Sequence, residues 1–199
     1  MRQTFALLVV TAAFADGPEQ HSGFYMRMHL GPAYTSMSAE LAGSEVEVKG
    51  SGGTFGVAIG GAVTENLIVF GEVFDDITSS PTMEIDGTEF ETSGDLAAGV
   101  VGMGPGIAYY FVPVNIYVSG TLAFAKLTFQ EDGEETGATE YGPGVSLMVG
   151  KEWWASQNWG LGVAAQVFAG SMKDEEEFGG EEVTWSARAF AIAFSATYN

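Results

Sequence analysis

The 199-residue chain has no cysteine, two histidines, and only seven lysines and arginines against 26 aspartates and glutamates. The lack of cysteine excludes a disulfide framework and any thiolate metal site. The shortage of cations leaves a net charge of −19 and excludes nucleic acid as a partner, because binding a polyphosphate requires a basic surface. Charge of either sign is sparse along the chain. Two stretches, 96–125 and 153–172, carry none. The first does not read as a membrane helix, since it holds Gly99, Gly102, Gly104, Pro105, Gly106, Pro113 and Gly120, which a helix tolerates poorly. An acidic disordered chain would also lack apolar bulk. This one is 46% hydrophobic and 13% aromatic, so it folds, and its length suits one domain. Glycine is in excess, with 28 residues, about twice ordinary usage.

Met1-Arg2-Gln3 opens the chain with a positive charge, and a short apolar run follows to Ala13. Ala13-Phe14-Ala15 is a small-x-small pattern before a polar stretch, as in a signal peptide removed after Ala15. The expected organisation is a signal peptide at 1–15, a short periplasmic segment at 16–22, and a single domain at 23–199.

Beyond residue 22 the dominant signal is alternation with period two, the mark of strands with two unlike faces. Eight segments show it, near 23–35, 54–62, 66–74, 101–111, 116–124, 141–150, 159–170 and 184–198. In the first, Phe24, Met26, Met28 and Leu30 share one face, and Tyr25, Arg27 and His29 the other. In the last, Phe190, Ile192 and Phe194 oppose Ala189, Ala191, Ala193 and Ser195. One face is bulky and apolar throughout; the other is small or polar.

The connections alternate between two classes. Short ones fall at 64–66, 112–115 and 151–158; long ones are expected at 36–53, 75–94, 130–140 and 171–182. The long ones, with Asp95 at one margin, hold 21 of the 26 acidic residues. Short turns at one end, long polar loops at the other and apolar outward faces make up the pattern of a transmembrane barrel. The fold class expected is all-β, an eight-stranded antiparallel up-and-down barrel with both termini at the short-turn, periplasmic end. Interface aromatics, which place a ring in lipid and a polar edge in the headgroups, are expected at Tyr109, Phe111, Trp153, Trp154, Trp159 and Tyr198 on the short-turn side. Trp185 is expected near the loops. Gly31-Pro32, Gly104-Pro105-Gly106 and Gly142-Pro143-Gly144 put prolines inside strands, where bulges would absorb the missing donors.

In this pattern the chain resembles the small eight-stranded outer-membrane proteins, the OmpW- and OmpX-like barrels and the OmpA membrane domain. The resemblance implies an integral protein of the cell outer membrane, partnered by outer-membrane lipid and lipopolysaccharide. It also implies recognition of the final strand by the barrel-assembly machinery, although the chain closes on Tyr198-Asn199 where such proteins usually end in Phe. An OmpW-like member would be a narrow channel or transporter for small or hydrophobic molecules. A soluble periplasmic barrel holding an apolar ligand is a further alternative.

Arg27 and Glu72 fall on inward faces and can pair across a narrow interior, with His29, Tyr117 and Gln166 as polar neighbours. The pair reads either as a structural ion pair or as a gate on an ion path. No catalytic residue stands out: His21 is expected near the periplasmic end and His29 points inward partway up the first strand, and no pattern resembling the motifs of outer-membrane hydrolases surrounds either, so the protein is not expected to be an enzyme. No cofactor is expected. At most Ca²⁺ or Mg²⁺ would be loosely held by loop carboxylates, at Glu131, Asp132, Glu134 and Glu135 or at Asp174, Glu175, Glu176 and Glu177. The role expected is structural or surface-interacting, through acidic extracellular loops.

Overall fold

The computed structural model describes residues 21–91, 96–112, 114–174 and 182–199. The expected signal peptide and most of the expected 16–22 segment lie outside them, as do Glu175, Glu176 and Glu177. The strands are β1 (Phe24–Leu41), β2 (Ser44–Thr64), β3 (Leu67–Ser79), β4 (Thr82–Ile85), β5 (Thr88–Glu91), β6 (Leu96–Phe111), β7 (Ile116–Glu131), β8 (Glu134–Ala138), β9 (Gly142–Trp154), β10 (Trp159–Lys173) and β11 (Thr184–Tyr198). Eight of them, β1, β2, β3, β6, β7, β9, β10 and β11, pair antiparallel in a ring. The ring closes because β1 pairs with β2 on one side and β11 on the other. Closure leaves no edge, as hydrocarbon requires of a backbone with no water to bond.

The alternation read from the sequence becomes an inside-out protein. Leu30, Phe55, Val73, Ile107, Leu122, Phe124, Val163 and Phe194 stand exposed on the outside, Leu122 at 67%. An apolar surface this continuous has no place in water, which sets aside the soluble-barrel alternative. On β1 the outward row runs from Phe24 to Tyr34. Ten steps at ~3.3 Å and a tilt of about 40° span about 25 Å, the apolar height of an outer-membrane barrel.

Where they are described, the long outer connections are mostly strand and not loop. β1 and β2 continue well past the apolar belt, paired without interruption to Leu41 and Ser44. Ala42 (φ 51°) and Gly43 (φ 84°) make the turn. Asp86 (48°) with Gly87 (79°) turns β4 into β5, and Asp132 (53°) with Gly133 (80°) turns β7 into β8. Positive φ at both central residues gives the two-residue turn whose twist suits a hairpin. β4 lies along β2 beyond the point where β3 ends. Glu40, Glu45, Glu47, Glu84, Asp86, Glu131, Asp132, Glu134 and Glu135 therefore ride on β-hairpins raised above the membrane, whereas Asp75 and Asp76 belong to β3 itself, Asp76 buried on its inward face.

The prolines are not at bulges either. Pairing keeps one register through all three sites, and the irregularities fall at Ala62/Thr64 and Phe129/Gln130. Each proline faces outward. The residue opposite it on one neighbouring strand presents a carbonyl that has lost its donor. That carbonyl lies over the preceding glycine: a Cβ at Gly31 would sit 2.0 Å from Ile192 O, at Gly104 1.9 Å from Leu122 O, and at Gly142 2.0 Å from Ser171 O. The same close approach recurs without proline at Gly52, 1.8 Å from Ile77 O, and at Gly60, 2.0 Å from Val69 O, so these glycines leave room for a neighbouring backbone oxygen whether or not a proline follows.

Glycines on the inward faces solve a second packing problem. The interior of an eight-stranded barrel is just wide enough for side chains to fill it, and large rings fit only where the strand beside them has none. His29 lies against Gly56, Phe74 against Gly102, Phe70 against Gly106 and Tyr117 against Gly150, where an added Cβ would come within 2.3–2.5 Å of the ring. The glycine excess and the inward aromatics are one feature.

Candidate functional site

The inward positions of all eight strands converge on a filled lumen. Tyr25, Phe70, Tyr110, Tyr117 and Met148 form an aromatic cluster toward the periplasmic end. The Tyr25 and Tyr110 hydroxyls lie 3.3 Å apart, and Tyr117 donates to Met148 Sδ at 3.2 Å. The Arg27 guanidinium rests on this cluster, 5.1 Å from the Tyr117 ring centre and 5.4 Å from that of Phe70. Its Nη2 donates to Glu72 Oε1 at 3.2 Å and its Nη1 to Ser119 Oγ at 3.1 Å, while Thr121 donates to the other Glu72 oxygen. Arg27 is 0% exposed and Glu72 3%. Burial of both charges demands this pairing, since either alone would be a stranded ion.

Gln166 donates to Ser146 Oγ at 3.0 Å, and His29 lies against Gly56 with neither ring nitrogen hydrogen-bonded. The interior thus brings Arg27, Glu72 and Tyr117 into contact. Ser119 and Thr121, which complete the polar layer, were legible only as small polar positions on an inward face. On the outer side of this layer Met37, Val48, Phe74, Val100, Leu127, Phe168, Met172 and Trp185 form one buried cluster, with Thr35, Thr54, Asp76 and Thr78 buried on the same inward faces.

Trp185 is a correction. It is 7% exposed and points into that cluster, its Nε1 donating to Asp174 Oδ2 at 3.2 Å and its ring 5.7 Å from Phe129. Because β10 and β11 outrun the membrane, the inner face at this height is the core of the hairpin extension and no lipid reaches it. Trp154 also differs from expectation. It takes the inward parity at the end of β9 and packs 5.0 Å from the His21 ring. Tyr109, Phe111 and Trp153 are exposed outward, and Trp159 packs edge-on to Tyr198 at 5.4 Å.

His21, just before β1, stoppers the periplasmic mouth. Its ring stacks on Tyr110 at 3.5 Å, and Nε2 lies 2.8 Å from Asn115 Oδ1. The end of the expected periplasmic segment is therefore tucked into the barrel. Burial holds the imidazole below its usual range, against the opposing pull of the Asn115 and Asn199 contacts.

Outside the membrane, Lys49 binds both Glu84 and Glu47. Those hydrogen bonds raise the Lys49 ammonium above its usual range, while Ser36 and Lys49 hold Glu47 below its own. Glu131, Asp132, Glu134 and Glu135 surround the β7–β8 turn, all exposed, with Glu135 3.9 Å from Lys126. Among the described residues no three acidic or histidine side chains converge as a metal group.

No protein-family model matches the sequence, and no curated protein matches it. Solved structures do match. Neisserial surface protein A superposes with a TM-score of 0.57 at 14% identity, over 92% of this chain and 99% of its own. The outer membrane protein OprG from Pseudomonas aeruginosa does so at 0.52 and 13%, over 90% and 98%. The fold is that of the small eight-stranded outer-membrane barrels. Its apolar belt, end-to-end closure and short turns at the end holding His21 and Asn199 agree with that placement in the outer membrane.

Proposed function

We propose that the protein is a structural and surface-interacting barrel of the outer membrane, presenting acidic β-hairpins outside the cell on a barrel whose lumen is closed. The observation carrying this reading is the buried layer of Arg27, Glu72, Ser119 and Thr121. Packed on the tyrosine cluster, it fills the bore at a height where water reaches neither charge. On this reading Arg27–Glu72 is structural. The reading is non-catalytic, since His21 is spent on Tyr110 and Asn115, and His29 is enclosed in the filled lumen against Gly56. Its partners are outer-membrane lipid and lipopolysaccharide, with the assembly machinery reading β11 during insertion. The hairpin carboxylates attract Ca²⁺ or Mg²⁺ diffusely through their summed potential.

A narrow channel for small or hydrophobic molecules is the second reading, favoured by the apolar interior around Leu127, Met172 and Trp185. Planar-bilayer conductance and uptake assays separate the two. The closed-lumen reading expects conductance at the level of bare bilayer and no uptake; stepwise conductance, or uptake of an apolar solute by vesicles carrying the barrel, would favour the channel.

A further inference from the structure

On the outer surface of β9, β10 and β11, two shallow grooves lie side by side and share Val163. One, of about 380 Å³, runs between Trp153, Leu161 and Phe194. The other, of about 340 Å³, lies between Val149, Ala165 and Ile192 and ends at Lys151. Ala165 opens the second groove: it is a small outward residue set between Val163 and Val167.

Lys151 is out of keeping with its surroundings. The described chain carries six cations. Arg27 is inside the barrel, while Lys49, Lys126, Lys173 and Arg188 belong to its outer half. Lys151 is the described cation at the periplasmic end, and its side chain faces outward. It donates to Val114 O and stands 5.5 Å over the Trp153 ring, leaving two of its three N–H groups unassigned. The adjoining β9–β10 turn brings Ser156 and Gln157, polar and uncharged, to the same level. The nearest described exposed acid on this rim, Glu65, is in the β2–β3 turn on the far side of the ring.

We infer that this face is a binding site for a glycerophospholipid with an anionic headgroup, its phosphate held by Lys151 beside Trp153 and an acyl chain laid in the groove at Ala165. Charge complementarity selects the occupant. On a chain of net charge −19, the one described outward cation at the periplasmic headgroup level, joined to apolar grooves leading toward the membrane centre, fits a lipid that is negative at one end and apolar along its length. The lysine ammonium is a compact point charge suited to a phosphate. An aromatic ring at headgroup level anchors the same boundary.

The inference rests on the membrane placement, and the two fail differently: a barrel that is not membranous holds no lipid of either charge, whereas a membrane barrel without this site holds both lipids equally. The test is native mass spectrometry of the detergent-purified chain with phosphatidylglycerol or phosphatidylethanolamine of identical acyl chains. Wild type should retain phosphatidylglycerol about fivefold better, the scale of one lysine at an anionic surface. Lys151→Gln should abolish the preference, Lys151→Arg should keep it, and Arg188→Gln at the outer edge should leave it intact. Ala165→Phe should reduce retention of both lipids. Equal retention by wild type, or an unchanged preference in Lys151→Gln whose unboiled gel migration shows it folded, would overturn the site.

Discussion

Arg27 of β1 meets Glu72 of β3 across the intervening strand, Nη2 to Oε1 at 3.2 Å, with neither side chain open to water. The ring arrangement makes this possible: β2 separates the two strands, and its small inward residue Ala58 pairs with both Arg27 and Glu72. A bulkier residue there would fill the space through which the two long side chains meet.

Removing one partner strands the other. Glu72→Ala should lower barrel stability by about 3–5 kcal/mol, because it leaves Arg27 buried without its counter-charge. Glu134→Ala, on an exposed hairpin turn, should cost less than about 1 kcal/mol. Urea unfolding of the two variants in lipid vesicles checks this. Equal midpoints would mean that the pair contributes no more than a solvated acid.

The glycines beneath a neighbouring carbonyl make a sharper steric claim. Gly104→Ala would bring a methyl to 1.9 Å from Leu122 O, whereas nothing lies within 4 Å of the same atom at Gly71. Since backbone is what must move, Gly104→Ala should destabilise by about 1–3 kcal/mol and Gly71→Ala should stay near wild type. Similar losses at both sites would show that glycine is kept for chain flexibility and not for room.

His21 supplies a pH dependence whose sign follows from burial. Its pKa in the folded barrel is lowered from 6.5, so the native ring stays neutral while the unfolded one takes up a proton as pH falls through 6.5. The stability it contributes is therefore full above pH 6.5 and declines as pH falls below that value. Trp154, 5.0 Å away, reports the change directly. Its fluorescence should alter with a midpoint below 6.5, and should not do so in His21→Asn. A response that persists in His21→Asn would assign the titration to another group.

What could be read from the sequence was whatever period two controls. The outward rows Phe24 to Leu30 and Phe190 to Phe194, and the inward Arg27, Glu72 and Gln166, follow from parity alone, because a strand has only two faces. Height along the barrel does not follow from parity. The expected interface position of Trp185 fails because nothing in the alternation shows that β11 starts above the belt. The raised hairpins did leave a local signal, Asp86-Gly87 and Asp132-Gly133, the dipeptide of two-residue turns. It was obscured by the acidic composition around it, which suggests loops. The pairing of rings with glycines was invisible for a different reason: Gly150 and Tyr117 are brought together by strand register, which no single segment encodes.

The central claim, a closed barrel spanning a membrane on an apolar exterior, is tested most directly by gel migration of the cell-derived protein recovered from the membrane fraction, with and without boiling. The described strands, locked in one hydrogen-bonded sheet, should resist detergent until heated, so the unboiled protein should need detergent to stay in solution and should run as a compact species distinct from the boiled one. A chain that stays monomeric in buffer without detergent and migrates identically before and after boiling would contradict the account.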